Sequence, residues 1–486
     1  MTTQAAALRY AVRLPVVLKY VGQLCLVLAA LTGVLLGVSL LCREATFSVR
    51  YAIVSGGLVI FGAQLSRLHS PARVQMNEGM VVVALVFLLA PLLMAYPLMA
   101  AGLNFVDALF EAISGVTTTG LSTLATVEDK PASFLFARAW MQWYGGLGIV
   151  VLSLALVVEP GLAAKGLAMT ESGQDDLVGG ARAHARRVLF VYSLLTAGGI
   201  VGLWLLQVGP FNAVVYTLAA VSTGGFAAHD QSIAGLGGWS VQGAVILLCF
   251  LGALPFALYY HAHNKREAVH VLQMQTLLTS GVLITFLVGL YMRITQGASW
   301  SEALYHAPLL AFSAQTTAGF STTSLAEIDA AAKLALIFAM IIGGGAGSTA
   351  GGFKILRLVI VLRLIQLAIV RTGMAKHAVI EPRLQGRRLL EHELQDALLL
   401  IVLFLMVIFV SWLPFVMFGY NPLDALFEVV SATGTVGLSS GITSTELPLV
   451  LKAVLGLDML LGRLEIVAWL VLIYPSTWLG KRAERV

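Results

Sequence analysis

The stretch GVTTTGLS at residues 115–122 contains three consecutive threonines followed by a glycine, has no charged residue, and lies between two long apolar segments. Hydrocarbon offers no partner to the N–H and C=O groups of irregular backbone, so such a loop is tolerated at membrane depth only inside protein or beside a water-filled cavity. The stretch therefore predicts a buried loop that the rest of the chain encloses.

The pattern occurs three more times, in VSTGGFA at 221–227, QTTAGFS at 315–321 and GTVGLSS at 434–440. When the copies are aligned on the glycine that precedes Leu or Phe, each pentad has threonine in second place and glycine in fourth. The first four positions of the first to fourth pentads are Thr117, Thr118, Thr119, Gly120; Ser222, Thr223, Gly224, Gly225; Thr316, Thr317, Ala318, Gly319; and Gly434, Thr435, Val436, Gly437. One structural unit is therefore predicted to occur four times in the chain.

A short helix is predicted before each pentad, because residues that accept hydrogen bonds from the first N–H groups of a helix stand there. The candidate caps are Asn104 with Asp107, Asn212 alone, Ser299 with Glu302, and Asn421 with Asp424 and Pro422. These helices would contain about 10–13 residues, whereas crossing a bilayer needs about 20. Successive pentad glycines are 105, 94 and 118 residues apart, so each interval has room for a span, a short helix, the loop and a second span.

Four such units in one chain can surround a common axis and turn rings of backbone carbonyls towards it. Carbonyl oxygens can replace the hydration shell of a K+ ion. Glycine in fourth place allows the positive φ that this backbone path needs, and threonine can add a hydroxyl oxygen at the inner end. A helix-packing surface of small residues explains a single copy, but not four copies in register.

The composition is that of a polytopic membrane protein. Of 486 residues, 58% are hydrophobic and 11% charged, and the mean hydropathy is +0.89, whereas about a quarter of the residues in soluble domains are charged. Continuous apolar runs exclude a β-barrel, whose strands alternate. We predict ten helical runs, at roughly 18–42, 51–66, 79–100, 140–160, 187–208, 241–262, 271–293, 332–370, 396–418 and 449–478.

Basic residues predict the orientation in the membrane. With ten spans, one face carries the Lys and Arg clusters at 9–19, 67–73, 165, 182–187, 265–266, 354–388 and 481–485. Positively charged loops remain in the cytoplasm, so both termini are predicted to be cytoplasmic, and no cleavable signal is apparent. Topology and anionic lipid account for the pI of about 9.1 without a nucleic-acid partner, and the three cysteines lack the spacing of a disulfide framework or zinc site.

Three further motifs are ARAWMQWYGGLGIVVL at 137–152, GGGAGSTAGGFKILR at 343–357 and LGRLEI at 461–466. Together with the pentads, they resemble the Trk/Ktr/HKT superfamily of potassium transporters and, within it, the bacterial TrkH-type subunits. The resemblance implies an all-α polytopic membrane protein in which four units of span, pore helix, filter loop and span surround one pore. Subunits would pair as homodimers. The implied regions are 1–72 for two N-terminal spans and 73–165, 166–265, 266–390 and 391–486 for the four pore repeats.

The resemblance makes the pentads a K+ selectivity filter and implies K+ uptake. The K+ ligands that it implies are Thr118, Thr119, Thr223, Gly224, Thr317, Ala318, Thr435 and Val436. Family members with serine at the first-copy glycine tend to conduct Na+, so Gly120 favours K+. The pentads depart from the pattern at the additional Gly224, at Gly434 in place of a hydroxyl residue, and at Gln315 before the third copy. Few hydroxyls in the fourth pentad would weaken discrimination, so a Na+-conducting or Na+-coupled transporter of the same superfamily is the alternative.

A glycine-rich stretch interrupts the eighth run. Six of the ten residues at 343–352 are glycine, and each destabilises a helix by about 1 kcal/mol relative to alanine, so two half-helices with a flexible linker are expected. A phosphate-binding loop does not fit, because the Gly-Lys-Ser/Thr order is absent. The resemblance makes the linker a movable gate under the filter, with a passive kink as the alternative. The gate residues are Gly343, Gly344, Gly345, Gly347, Ser348, Thr349, Gly351, Gly352 and Lys354.

Arg463 and Glu465 are charges in the middle of the tenth run. Charges inside a membrane usually line an ion path or pair with a neighbour. The resemblance makes Arg463 a pore-facing part of the gate that repels cations until the gate rearranges; a structural tie to a carboxylate or carbonyl is the alternative. Glu465 is two residues further on, cannot share the same helix face, and is expected to anchor an adjacent element.

No polar segment of about 100 residues is present that could form a nucleotide-binding domain, and no organic cofactor is expected beside the transported K+. The resemblance implies a separate cytosolic nucleotide-binding ring of the TrkA/KtrA type. The basic segments 182–187 and 354–388 are candidate docking faces, although lipid explains their charge equally well. An enzyme is not expected, because the only clear ionisable pair within a span is Arg463 with Glu465. The sequence thus predicts K+ uptake across the bacterial plasma membrane.

Overall fold

The computed structural model describes residues 11–69, 74–156, 177–260, 267–375 and 381–479, and helices dominate it. The α-helices are α1 Leu14–Leu41, α2 Ala45–Ser66, α3 Met76–Leu98, α4 Phe105–Val116, α5 Ala132–Leu156, α6 Leu177–Leu205, α7 Pro210–Val221, α8 Trp239–Ala253, α9 Glu267–Thr295, α10 Trp300–Gln315, α11 Ala330–Ile342, α12 Ile355–Thr372, α13 Glu391–Met417, α14 Pro422–Thr433, α15 Leu449–Arg463, α16 Ile466–Ile473 and α17 Pro475–Trp478. One antiparallel hairpin, β1 Arg383–Leu384 with β2 Arg387–Arg388, is a small addition to the predicted all-α class.

Six of the described helices are long and apolar enough to cross a bilayer. Large hydrophobic side chains on them, such as Phe190, Phe286 and Leu41, are exposed. Water would not favour such surfaces, whereas lipid does. The protein is therefore a multi-pass membrane protein, as its composition predicts. The six spans are Leu14–Leu41, Ala45–Ser66, Met76–Ala101, Ala185–Leu205, Ala268–Thr295 and Glu391–Met417.

The chain forms two compact units. The first comprises Met1–Ile113, Lys130–Ala137 and Leu464–Val486, and the second comprises Ser114–Asp129 and Arg138–Arg463. All four pentads, the glycine-rich stretch and Arg463 belong to the second unit.

In the first unit, α1 and α2 pack closely because glycine replaces larger side chains at their contact. A Cβ atom on Gly62 would lie 2.8 Å from the carbonyl oxygen of Gly22. Arg13, just before α1, pairs with Glu78 in the first turn of α3, with 2.6 Å between Nε and Oε1 and 2.9 Å between Nη2 and Oε2. Because the Glu78 side chain is fully buried, this bidentate pair fixes the start of α1 to the start of α3.

Two predicted apolar runs are interrupted where the sequence contains a signal. In the run 332–370, α11 ends at Ile342 and α12 begins at Ile355, so the predicted half-helices are confirmed. In the run 241–262, α8 ends at Ala253, because Pro255 disfavours helical backbone at the preceding Leu254, whose ψ is 147°.

The tenth run is also interrupted, and the expectation of one span with two charges in its middle is wrong. Helix α15 ends at Arg463, and α16 begins at Ile466. Glu465 between them has a non-helical ψ of 126°. No proline marks this break. Instead, a Cβ atom on Gly462 would overlap the carbonyl oxygen of Thr433, so α15 is held against the end of α14 immediately before it stops.

The four short helices are present as α4, α7, α10 and α14. Three contain 12 residues, within the predicted range, whereas α10 contains 16. Its cap lies 20 residues before the pentad glycine and the others lie 16 before it, which adds one helical turn. Three predicted caps are confirmed, by hydrogen bonds from Asp107 N to Asn104 Oδ1 (2.9 Å), Glu302 N to Ser299 Oγ (3.2 Å) and Leu423 N to Asn421 Oδ1 (3.0 Å). Asn212 is not a cap, because α7 already begins at Pro210 after Gly209.

Some predicted features lie outside the described residues. They are the ends of two runs at 157–160 and 261–262, the region boundaries at 72, 165 and 265, and the basic residues Arg9, Arg73, Lys165, Lys265, Arg266, Lys481, Arg482 and Arg485.

Candidate functional site

Each of the four short helices ends in the same hydrogen-bonding pattern. The third pentad residue donates its N–H five residues back, from Thr119 to Ser114 (2.9 Å), Gly224 to Ala219 (2.7 Å), Ala318 to Ser313 (2.9 Å) and Val436 to Ser431 (2.8 Å). The second pentad residue donates three residues back, from Thr118 to Gly115 (3.0 Å), Thr223 to Ala220 (2.9 Å), Thr317 to Ala314 (3.1 Å) and Thr435 to Ala432 (3.0 Å). This is the Schellman motif, which reverses the chain direction at a helix C-terminus.

The threonine in second place has left-handed backbone in every copy, a position that usually requires glycine. The φ values are 53° at Thr118, 51° at Thr223, 55° at Thr317 and 50° at Thr435. This conformation costs an L-residue about 1–2 kcal/mol. Such strain persists only where the surrounding structure enforces it, and it concentrates at functional sites.

The glycine in fourth place also has positive φ, as the sequence predicts. The values are 91° at Gly120, 80° at Gly225, 76° at Gly319 and 91° at Gly437. Two residues of every pentad therefore turn the backbone through the left-handed region, with one residue between them. The third residue lies between these two, and its carbonyl oxygen lies beside the fourth-place glycine of a neighbouring pentad.

The four pentads contact one another in a closed cycle, which we call the pentad ring. A Cβ atom on Gly120 would overlap the carbonyl oxygen of Gly224, one on Gly225 that of Ala318, one on Gly319 that of Val436, and one on Gly437 that of Thr119. Because the last contact returns to the first pentad, four backbone segments from distant parts of the chain close a ring. A side chain in fourth place would therefore have to displace the neighbouring pentad.

The threonine hydroxyls of the pentad ring divide into two kinds. Thr223 Oγ1 lies 3.3 Å from Thr349 Oγ1, and Thr317 Oγ1 accepts a 2.7 Å hydrogen bond from Gly351 N. Thr118 Oγ1 and Thr435 Oγ1 are buried and have no hydrogen-bond partner among the described residues. Buried hydroxyls usually have a hydrogen-bond partner, and both of these oxygens stand in second place of a pentad, so they are candidates to bind a polar or charged ligand.

The predicted gate forms a buried loop, residues 343–354, which we call the glycine loop. Its backbone turns at Gly343, Gly347, Gly352 and Lys354, with φ between 70° and 77°. It packs on the end of α8 through hydrogen bonds from Gly345 N to Ala253 O (2.9 Å), Thr349 N to Gly252 O (3.2 Å) and Thr349 Oγ1 to Gly252 O (2.9 Å). Within the loop, Ser348 Oγ donates to Gly345 O (2.7 Å) and Lys354 Nζ donates to Ala350 O. The expected flexible linker is thus held by protein on several sides.

The glycine loop lies directly against the pentad ring. Gly351 N donates to Thr317 Oγ1, and Gly352 N donates to Gly434 O at 3.1 Å. A Cβ atom on Gly351 would overlap both Gly434 O and Thr435 Oγ1. With the contact of Thr349 to the second pentad, the loop reaches three of the four pentads at their threonine ends.

Arg463 connects the glycine loop to a neighbouring helix. Its Nη1 donates to Thr349 O at 2.6 Å, and its Nη2 donates to Gly145 O on α5 at 3.2 Å. The side chain is 6% exposed, and Nε has no hydrogen-bond partner among the described residues. The structure therefore brings Arg463 and the predicted gate together. Glu465 follows the end of α15 and belongs to the other compact unit.

The glutamates of the short helices differ in burial and in hydrogen bonding. Glu428 is fully buried and accepts hydrogen bonds from the loop that follows the fourth pentad, from Ser439 Oγ (2.5 Å), Ser440 N (2.9 Å), Ile442 N (3.2 Å) and Thr443 Oγ1 (2.8 Å). Glu111 is also buried. Glu302 is exposed, and hydrogen bonds from the Ser299 N–H and hydroxyl lower the pKa of its carboxyl. Glu428 thus stabilises the loop after the fourth pentad, and Glu302 stabilises the start of α10.

Sequence patterns did not single out two buried polar residues in this unit. Asp458 on α15 is 1% exposed and accepts a 2.6 Å hydrogen bond from Ser411 Oγ, so Arg463 and Glu465 are not the only charges in the tenth run. Gln142 on α5 is fully buried and contacts the second pentad. The sequence does contain one indication of this contact. Gly224 is a glycine outside the shared pattern, which indicates that another group occupies the space where a side chain would lie.

Comparisons with known proteins agree with this geometry. The profile of the TrkH family, described as a cation transport protein, matches residues 51–479. The chain is 29% identical over 461 residues to an uncharacterised cation transporter of Methanocaldococcus jannaschii, covering 94% of each chain. It is 28% identical over 421 residues to the Trk system potassium uptake protein TrkH of Escherichia coli K12, covering 83% of this chain and 86% of that one.

The fold is similar to the crystal structure of the potassium transporter TrkH from Vibrio parahaemolyticus. The TM-score is 0.84 at 24% sequence identity, over 96% of this chain and 100% of that chain. Since the family profile covers most of the sequence and the fold agrees, the chain belongs to the TrkH family of cation transport proteins.

Proposed function

We propose that this chain takes up K+ across the bacterial plasma membrane and conducts the ion through the pentad ring. The observation that carries the proposal is the closed contact cycle, in which backbone from all four repeats meets. The unpartnered hydroxyls of Thr118 and Thr435 would supply oxygen to a dehydrated cation. Relatives named as potassium uptake proteins support the same function.

The proposed ligands form two layers of the pentad ring. The third-place carbonyls of Thr119, Gly224, Ala318 and Val436 make one layer, and the second-place threonines Thr118, Thr223, Thr317 and Thr435 make the adjacent one. Because several weak oxygen ligands replace the hydration shell, the ion can be bound and still leave. The fourth-place glycines let neighbouring pentads approach closely enough for one ion to reach all four.

The glycine loop is proposed to close the threonine end of the pentad ring. Its N–H groups bond to Thr317 Oγ1 and Gly434 O, so oxygens that could face an ion are occupied by the loop. Each neutral hydrogen bond contributes only about 0.5–1.5 kcal/mol net. A regulatory partner that binds the open loop more tightly than the closed one can therefore shift the loop.

Arg463 is proposed to strengthen the closed state in two ways. Its guanidinium holds the loop by the carbonyl of Thr349. Its charge is buried in the second unit, where repulsion of a nearby cation is much stronger than in water. Moving the loop away from the pentad ring would release the hydrogen bond and give the guanidinium room to withdraw from the ion path.

The proposed assembly is a homodimer with cytoplasmic termini that is regulated by a nucleotide-binding ring of the TrkA/KtrA type. Segments 182–187 and 354–388 are the proposed docking faces. The described part of the second segment carries Arg383 and Arg388, whose side chains are 61% and 63% exposed although both pair with Glu381. Such exposed arginines suit an acidic protein surface or anionic lipid.

Complementation tests the proposal. Expression of this chain with its regulatory partner should restore growth of a K+-uptake-deficient strain on low-K+ medium. Gly319→Ser should abolish the restoration or shift uptake towards Na+, since a side chain there overlaps Val436 O. Gly202→Ser is the matched control, because a side chain at Gly202 would meet open space. Failure of the unaltered protein to restore growth despite normal insertion would contradict the proposal.

A Na+-conducting or Na+-coupled transporter is the second candidate function. The observation in its favour is the composition of the fourth pentad, where Thr435 is the only hydroxyl residue among the first four positions. Uptake assays with K+ and Na+ in separate vesicles distinguish the two functions. A Na+ transporter would show little change with Gly120→Ser, whereas a K+-selective protein should gain Na+ uptake.

A further inference from the structure

The second pentad lacks a hydrogen bond from its fourth-place glycine to a helix serine, which the first and fourth pentads possess. Ser114 Oγ accepts the N–H of Gly120 at 3.0 Å, and Ser431 Oγ accepts the N–H of Gly437 at 3.0 Å. These serines stand six residues before the pentad glycine, on the short helix of the same repeat. Before the third pentad, Ser313 stands at the same place, but its Oγ has no hydrogen-bond partner among the described residues. At the corresponding place before Gly225 the chain has Ala219, which offers no hydroxyl.

Gln142 on α5 provides two hydrogen bonds to the second pentad. Its Nε2 donates to Gly224 O at 2.5 Å, and its Oε1 accepts from Phe226 N at 3.1 Å. The side chain is fully buried. Since one partner is a carbonyl and the other an N–H, the amide has one orientation in which both bonds form. Gln142 therefore determines the positions of the two backbone groups on either side of Gly225.

The additional glycine of the second pentad makes room for this side chain. A Cβ atom on Gly224 would overlap Cδ of Gln142. The third-place residues of the other pentads, Thr119, Ala318 and Val436, all carry side chains. Glycine at position 224 thus leaves the space that the Gln142 side chain occupies. Gln142 gives the second pentad the support that Ser114 and Ser431 give the first and fourth pentads.

Arg138 lies one helical turn before Gln142, on the same face of α5. Its Nη1 lies 3.3 Å from Ala227 O, and its guanidinium lies 3.8 Å from the centre of the Phe226 ring. Two polar side chains of a single helix thus hold the second pentad from Gly224 to Ala227. Gln142 is the one that contacts a third-place carbonyl of the pentad ring.

We propose that Gln142 is a specificity-determining positioning residue, which sets the direction and ligand strength of the Gly224 carbonyl and thereby the preference for K+ over Na+. The inference rests on the proposed filter function of the pentad ring. A carbonyl that already accepts a hydrogen bond from a neutral amide donates less electron density to an ion, and its position is fixed. One quadrant of the ring then differs from the other three, so K+ binds in an asymmetric site.

The test compares Gln142→Met with Gln242→Met in proteoliposomes loaded for Rb+ and Na+ tracer uptake. Methionine keeps a similar volume but cannot form the two hydrogen bonds. Gln242 is a matched control, because it is 2% exposed and donates its amide to a glycine carbonyl outside the pentads, Gly237 O at 2.7 Å. Gln142→Met should lower the Rb+ to Na+ uptake ratio by about fivefold or more, because the hydrogen bond to the Gly224 carbonyl is lost together with that to Phe226 N. The control should retain the ratio.

Two further variants separate positioning from folding. Gly224→Ala displaces the Gln142 amide, although alanine itself is compatible with third place, as Ala318 is in the third pentad; the ratio should fall here too. Adding Ala219→Ser to Gln142→Met should recover part of the ratio by supplying the helix serine that the first and fourth pentads possess. If the Gln142→Met protein does not insert into the membrane, the uptake ratio of Gly224→Ala tests the inference instead.

The outcomes distinguish this inference from the proposed function. Equal loss of Rb+ and Na+ uptake at an unchanged ratio would mean a purely structural role and overturn the inference. An unchanged ratio in Gly224→Ala would overturn it as well. A lack of any Rb+ preference in the unaltered protein would instead contradict the proposed K+ filter.

Discussion

The pentad ring and the glycine loop both consist of irregular backbone within one compact unit, but the hydrogen bonding of their hydroxyl groups differs. In the ring, Thr118 and Thr435 keep buried hydroxyls without a hydrogen-bond partner among the described residues. In the loop, the hydroxyls of Ser348 and Thr349 donate to protein carbonyls. The loop also occurs in one repeat, whereas the pentad occurs in all four.

This difference indicates how one chain can hold a binding site and a barrier side by side. The hydroxyls of Ser348 and Thr349 already donate to protein carbonyls, so they gain less from a cation than an oxygen that has no protein partner. Oxygens without a protein partner are the stronger candidates for ligands of a dehydrated ion. The loop contacts the ring at the hydroxyls of Thr223 and Thr317 and at the carbonyl of Gly434. In the proposed mechanism, these contacts break when the barrier opens.

Breaking the ring should have the largest effect. We expect Gly225→Ala to lower K+ uptake at least about a hundredfold, because alanine would have to adopt a φ of 80° and overlap Ala318 O. Rb+ tracer flux in proteoliposomes measures the effect. Gly202→Ala, in a helix with open space around it, is the control. Flux near the unaltered level in Gly225→Ala would contradict a closed ring as the ion path.

Weakening the barrier should have the next largest effect and the opposite sign. Arg463→Gln removes the buried charge and shortens the side chain that donates to Thr349 O and Gly145 O. We expect uptake without the regulatory partner to rise about tenfold, with an unchanged K+ to Na+ ratio, since about 1.4 kcal/mol corresponds to a factor of ten. Arg293→Gln, at an exposed site, serves as control; a fall in uptake would count against a gating role.

Substitutions of two second-place threonines distinguish the proposed ion site from the proposed barrier. Thr118→Val removes an unpartnered hydroxyl, so the apparent affinity for K+ should fall about three- to tenfold with regulation intact. Thr317→Val removes the acceptor of Gly351 N, so partner-independent uptake should rise by a similar factor, an effect that Thr118→Val should not show. Concentration-dependent flux with and without the partner distinguishes them. Identical behaviour of the two variants would mean that ring and loop are not separate functional parts.

The smallest effect is expected at the periphery of the loop. Gln273 is 1% exposed, and its Oε1 accepts the N–H of Ala346 at 2.8 Å, remote in the loop from the contacts of Gly351 and Gly352. Gln273→Leu should raise partner-independent uptake by less than about threefold. The same flux assay measures it, with Gln242→Leu as control. An increase as large as that of Arg463→Gln would place the decisive contact of the barrier elsewhere.

Much of the pentad ring could be predicted from the sequence because its signal is repeated four times. Alignment gave the glycines of positive φ and the short helices with their caps at Asn104, Ser299 and Asn421. It did not predict the left-handed threonines, because a β-branched residue disfavours that backbone and only the completed Schellman motifs and the packing of the ring enforce it. The predicted cap at Asn212 is wrong for a local reason. Gly209 is the N-cap residue and Pro210 the first residue of α7, so Asn212 already lies inside the helix.

Features that occur once were harder to predict. The glycine loop was found because six glycines are a strong signal, but its hydrogen bonds to α8 depend on residues about 100 positions away. The break after Arg463 has no proline or glycine at its centre and follows from contacts of Gly462 and Arg463 with other helices. Gln142 lies 82 residues from Gly224, and only the folded chain shows that the two are complementary.

The most direct test of the central claim is a crystal structure of the protein in Rb+, with anomalous scattering to locate the ion. The account predicts a Rb+ peak on the axis of the pentad ring, within ligand distance of the carbonyls of Thr119, Gly224, Ala318 and Val436. Peaks that lie only outside the ring, with the four glycines still in contact, would contradict it.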